Sequence, residues 1–209
     1  MAVSGAVGAI YKAAGTATAF SQKPMTNVGD NKRYFVTDRA VCYWDDETPV
    51  TVEKSTNGGT NWTTVTTGFE IEHAGGFVAF SADQGTAIFR VSGKYFTPIQ
   101  IGGGFSWTLD IEREMHDATT FESGGWREFV SGLGGFTGSF EKYWSNGEIF
   151  SELGNEQLIL VLYVDAGPSK NRYEGYGILN TDSIETPVDD LVSEAIDFQG
   201  SGKIYYRAG

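Results

Sequence analysis

The chain has 209 residues, 40% of them hydrophobic and 14% aromatic, with 28 glycines and five prolines. A chain of this length buries roughly 70% of its unfolded surface, so it folds without disulfides or metal, and its composition excludes wholesale disorder. The formal charge of −12 excludes a surface that neutralises phosphates through clustered Lys and Arg, and the single cysteine, Cys42, excludes an intrachain disulfide.

Residues 1–29 are rich in Gly, Ala, Ser and Thr with little periodicity, and read as a small-residue N-terminal arm that is ordered only when something binds it. Ala17-Thr18-Ala19 imitates a signal-peptidase site, but a basic n-region is missing and Lys12 interrupts the apolar stretch. No apolar run reaches the ~18 residues that a membrane helix needs, so no membrane partner is expected.

Residues 30–97 carry short strand-like runs separated by turn signals. RYFV and VTVEKS precede Ser55-Thr-Asn-Gly-Gly-Thr-Asn-Trp62, a hairpin closure, and FEIEHAG meets FVAFSA at Gly75-Gly76. This section reads as a small β region, or as an elaborated half of a larger sandwich.

Residues 98–209 read as a sandwich core. SWTLDIEREMHD alternates, with Trp107, Leu109, Ile111 and Met115 on one face and Asp110, Glu112, Glu114 and His116 on the other. Arg113 is the one misfit on the apolar face. A short helix is expected near 123–133, with Ser123 at its N-cap and with Trp126, Phe129, Val130 and Leu133 at helical spacing. Gly132, Gly134 and Gly135 would end it. QLILVLYV is the most apolar run and reads as the best-buried strand, followed by strands in RYEGYGILNTDSIE and from about Val192.

Catalytic equipment is sparse. Gly132-Leu-Gly134-Gly-Phe-Thr-Gly138 nearly spells a dinucleotide fingerprint, but Thr137 stands where the third glycine belongs, so no cofactor is expected. The 55–62 turn resembles the Asp-box hairpin of sialidases, occurring once, and a stable turn accounts for it. Asp110, Glu112 and Glu114 lie about 7 Å apart along one strand face. Nothing separates their pKa values as acid–base catalysis would require, so a solvated acidic row is the better reading than a glycoside hydrolase. Two histidines, His73 and His116, with one cysteine do not make a zinc site. The chain is therefore expected not to be an enzyme.

Two segments carry a family resemblance: ATTFESGGWREFVSGLGGFTGSFEKYW at 118–144 and YEGYGILNTDSIETPVDDLVSEAIDFQGSGKIYYR at 173–207. Over roughly 100–207 the chain resembles the major tail tube proteins of long-tailed bacteriophages. The resemblance implies an antiparallel β-sandwich with one flanking short helix, here with extra N-terminal β hairpins. It also implies assembly as stacked hexameric rings whose sheets join into an inner β-barrel.

On that basis the protein is expected in the virion tail, made in the host bacterial cytoplasm. Its partners would be its own copies, the tape measure, the tail terminator and the distal tail or baseplate proteins, while genomic DNA passes through without specific binding. An acidic wall repels phosphates within about one Debye length, ~8 Å at physiological salt. Asp110, Glu112 and Glu114 form one candidate lumen-facing row, with Glu70 and Glu72 another. Trp126, Phe129, Val130 and Leu133 are candidates for helix packing and inter-subunit contact, and the N-terminal arm for connecting rings. The alternative is a carbohydrate-binding β module of a phage particle, stacking sugars on Tyr43, Trp44 and Trp62.

Overall fold

A computed structural model describes residues 9–102, 104–144, 157–164 and 171–208. The protein is mainly antiparallel β. The chain divides into two compact units, Tyr11–Gln100, and Met1–Ile10 with Ile101–Gly209.

The Tyr11–Gln100 unit contains most of β1 (Ala9–Asn27), then β2 (Arg33–Val36), β3 (Thr51–Ser55), β4 (Thr63–Val65), β5 (Phe69–Glu72), β6 (Phe77–Phe80) and most of β7 (Ile88–Ile101). One set of strands runs β4-β3-β7-β1. The end of β1 also pairs with β2, which continues to β6 and β5. Both hairpins follow their turn signals: β3 and β4 flank the Ser55–Trp62 turn, and β5 and β6 flank Gly75-Gly76. Inside the first turn, Ser55 Oγ accepts from the Gly59 amide and Asn57 Oδ1 from the Asn61 amide. Side chains thus supply the acceptors that the turn's backbone lacks.

The core of this unit is aromatic: Tyr34, Phe80 and Phe89 lie within 4.5–5.8 Å of one another by ring centroid, beside Trp44, Val52, Val78 and Val91.

The expectation of an unstructured arm at 1–29 needs correcting, because residues 9–27 are a 19-residue strand. Met25, Thr26 and Asn27 pair with Val36, Phe35 and Tyr34. Gly15 and Gln22 have positive φ, so the strand kinks at both, and its side-chain alternation is scrambled in the sequence. Residues 1–8 lie outside the described residues.

The other unit is built on β8 (Gly104–Asp117), β9 (Phe129–Tyr143), β10 (Gln157–Tyr163), β11 (Arg172–Glu185) and β12 (Ser193–Arg207), in the order β10-β11-β12-β9-β8. Leu158 through Leu162 are all buried, as the unbroken apolar run foretold. Leu158, Leu160 and Leu162 pack with Phe136, Phe140, Leu179, Ile196 and Phe198, and Ile10 and Ile101 join them.

The flanking helix near 123–133 is not formed. Residues 118–128 are a turn, and Phe129, Val130 and Ser131 pair with Asp117, His116 and Met115 of β8. Gly124 and Gly125 sit at φ +62° and +86°, in the left-handed region that no helix interior adopts. Gly132, Gly134 and Gly135 each cost a helix about 1 kcal/mol relative to Ala. Pairing with β8 satisfies the same backbone groups without that penalty.

Candidate functional site: a projecting ribbon

β9 pairs with β12 only from Thr137 to Tyr143. Residues 111–117 of β8 and 129–136 of β9 therefore continue as a two-stranded ribbon with no third strand among the described residues. The tip is a defined turn. The Ala118 amide donates to Glu128 O, Asp117 Oδ1 accepts from the Thr119 amide, and the Glu128 amide donates to Thr119 Oγ1. Thr119 holds the Asp117 carboxyl below its ordinary pKa, through its hydroxyl first and its amide second. Between Arg113 and Met115 the register shifts, with Gly132 and Leu133 as the bulged residues on β9. A Cβ at Gly132 would stand 2.5 Å from Nε2 of the exposed His116 side chain, which would have to swing aside.

The ribbon exposes large apolar side chains. Trp126 and Leu133 are each 80% exposed, Phe129 50% and Val130 59%. Ile111, Met115 and Phe121 are exposed alongside them. The four residues expected to seat a helix on the sheet thus stay half or more exposed. They gather on the ribbon and its turn.

Asp110, Glu112 and Glu114 stand on one face of β8, all exposed, opposite the ribbon face that carries Ile111, Arg113 and Met115. Asp110 faces Thr137 and Glu112 faces Gly135 on β9, so no cation stands directly across from either. Glu114 lies 3.6 Å from His116 Nε2.

The second candidate row divides. Glu70 is exposed, but Glu72 is buried and accepts from Arg33 Nη2 at 2.6 Å, so its charge is spent inside its own unit.

The aromatic platform for sugars also dissolves. Trp44 is fully buried and donates through Nε1 to Val41 O at 2.7 Å. Tyr43 is half-buried, and the Trp62 face is covered by the Arg90 guanidinium at 4.3 Å. Arg90 is held in turn by both oxygens of Glu53, whose carboxyl it pulls below the ordinary range. Among the described residues no group of three or more His, Cys, Asp and Glu is arranged to hold a metal ion.

No protein-family model matches the chain. No curated protein matches it either. Solved structures similar to it include two chains of gene transfer agent particles. One is a chain of the virion of a native gene transfer agent particle, 15% identical with a TM-score of 0.42, covering 53% of this chain and 89% of that one. The other is a chain of the tail of an empty gene transfer agent particle with C6 symmetry, 16% identical with a TM-score of 0.41, covering 54% of this chain and 87% of that one.

Proposed function

We propose that the protein is a structural subunit of a phage-type tail tube, assembling with its own kind into stacked hexameric rings through which DNA passes into the host. The observation that carries this reading is the projecting ribbon. An isolated two-stranded ribbon is marginal in water, and beyond the buried Phe136 at its base this one exposes Ile111, Met115, Phe129, Val130 and Leu133. Burial against a neighbouring copy stabilises it at roughly 25 cal/mol per Å² of apolar surface removed from water. Among the described residues β8 ends the strand order of its sheet, so its outer edge offers backbone groups for a neighbour's strand.

The exposed row of Asp110, Glu112 and Glu114, with Glu70, supports a lining that repels phosphate. In this reading the tape measure, tail terminator and distal tail proteins meet the ends of the stack, and the subunit is made in the host cytoplasm and kept in the virion. A sugar-binding module loses support with Trp44 in the core.

The test is negative-stain electron microscopy of purified protein across a concentration series, beside a Phe121→Ser, Trp126→Ser variant. Rings or tubes are expected from the parent, and monomers with an unchanged circular dichroism spectrum from the variant. A parent that stays monomeric at high concentration, or a variant that assembles equally well, defeats the proposal. Deleting residues 1–29 is not a usable test, since it removes β1 from the fold.

A further inference from the structure

Where β12 leaves β9 at Gln199, the two strands part and open a cleft of about 620 Å³. Its lining includes Ile111, Glu112, Arg113 and Phe136 on the ribbon side and Lys203 and Ile204 on β12. Gly200 lets the Phe136 ring lie directly on the β12 backbone at the cleft floor, because a Cβ there would meet that ring at 2.4 Å. The cleft lining therefore places Arg113 and Lys203, the latter over the Tyr205 ring at 5.2 Å, beside Glu112 and aliphatic walls, in a chain whose net charge is −12.

The opposite end of the β11–β12 hairpin is its chemical complement. The Thr186–Leu191 connection holds Val188 out at 98% exposure and Leu191 at 62%. Asp189 and Asp190 stand between them, Glu185 precedes them, and no cation falls within the loop. An exposed Val-Asp-Asp-Leu segment has nothing of its own unit to cover it among the described residues.

We infer that this loop docks into the β9/β12 cleft of a second copy. Val188 and Leu191 then lie against Ile111 and Ile204, and Asp189 and Asp190 face Arg113 and Lys203. The loop cannot enter its own cleft: from Ser193 to Lys203 a strand rises about 3.3 Å per residue, which separates the two features by about 30 Å. A patch at one end of a hairpin that fits a different patch at its other end makes a head-to-tail contact. Head-to-tail contacts propagate as stacks or rings instead of closing as two-fold dimers. The ribbon projects from the cleft end as well, so one approach of the neighbour would serve both surfaces. Arg113, which breaks the apolar alternation of β8, acquires a role as the cation that selects the acidic loop.

This inference rests on the self-assembly proposed above and is tested by charge exchange in the full chain. One variant carries Arg113→Glu and Lys203→Glu, a second carries Asp189→Lys and Asp190→Lys, and a third carries all four. The concentration at which assemblies sediment is the readout, with electron microscopy of the same samples. Each double variant is expected to need at least ~10-fold more protein than the parent, the equivalent of losing about 1.4 kcal/mol per contact. The fourfold variant, and an equimolar mixture of the two doubles, is expected to return to within about threefold of the parent. Double variants that assemble like the parent overturn the inference, and so does loss in either double that neither the fourfold variant nor the mixture restores. In both cases the assembling parent leaves the tube reading intact. A parent that never assembles fails that reading first, and this one with it.

Discussion

Replacing Glu174 by Gln probes the buried charge cluster that ties β11 to β12. The Glu174 side chain is 1% exposed and accepts from Arg172 Nε at 2.7 Å and from Arg207 Nε at 3.0 Å. Glutamine keeps the shape but offers one acceptor and one donating amide, so whichever way it turns, one guanidinium meets an N–H. Removing one partner of a buried pair costs about 3–5 kcal/mol, because the other charge is left without compensation. Arg207 is as buried as that figure presumes, with a side chain 3% exposed, whereas Arg172 at 19% can recruit some water. The lower end, about 3 kcal/mol, is therefore expected. For a chain of this size each kcal/mol moves Tm by about 2–4 °C, so the midpoint should fall by roughly 6–12 °C. The scan belongs at a concentration where the protein is monodisperse, since association itself raises apparent stability. Hydrogen exchange should place the loss in β11 and β12. A double-mutant cycle with Arg207→Leu should return a coupling above about 1 kcal/mol. A Tm shift below about 2 °C for Glu174→Gln, or a coupling near zero, would refute this account of the cluster.

Gly76→Ala should destabilise the Tyr11–Gln100 unit by more than about 2 kcal/mol in chemical denaturation. Its φ is +68° and its Cβ would stand 2.8 Å from Val36 Cγ1 and 2.9 Å from Cys42 O, and the left-handed backbone alone costs about 1–2 kcal/mol. Gly85→Ala, with φ +58° and open space around it, should show that backbone cost only. Glu194 is 1% exposed and pairs with Lys142 at 3.5 Å, yet its Oε1 has no hydrogen-bond partner. Burial raises its pKa above 4.5, Lys142 opposes the shift and Asp182 adds to it. The native state thus holds this proton more tightly than the unfolded chain. The resulting stability is full below pH 4.5 and declines as pH rises through the elevated native value. Urea midpoints across that range should carry this slope in the parent and lose it in Glu194→Gln; equal slopes would refute the assignment.

Much of the β architecture was legible because it follows from local pattern. The alternation in SWTLDIEREM, the unbroken LILVL run and the two glycine-bearing hairpin turns each mark an element that formed. The helix reading failed because the spacing of Trp126, Phe129, Val130 and Leu133 mimics a helical period when a turn and a bulge interrupt a strand. Trp126 belongs to the turn, and the shift at Gly132-Leu133 changes which residues share a face. Only pairing with β8, a partner outside the local window, separates the two readings. The exposure of Asp110, Glu112 and Glu114 could be read from alternation. The neutralisation of Glu72 could not, since Arg33 lies 39 positions away. The cleft was invisible for a similar reason: it exists because β12 stops pairing with β9 at Gln199, and no residue signals that parting.

Association of such acidic copies sets two electrostatic effects of opposite sign against each other. Whole subunits of charge −12 repel one another over distances set by the Debye length, about 30 Å at 0.01 M salt and about 10 Å at 0.1 M. The pairing of Asp189 and Asp190 with Arg113 and Lys203 acts at contact, where water is excluded and screening is weak. Raising salt from about 0.01 M to about 0.15 M therefore removes the long-range repulsion before it weakens the contact pairs, and the concentration needed for assembly should fall. The apolar burial of Trp126, Phe129 and Leu133 is not weakened by salt, and sulfate strengthens it. If assembly instead became steadily harder from the lowest salt upward, attraction between opposite charges would be the main force joining copies, and the exposed apolar ribbon would not be what drives the subunits together.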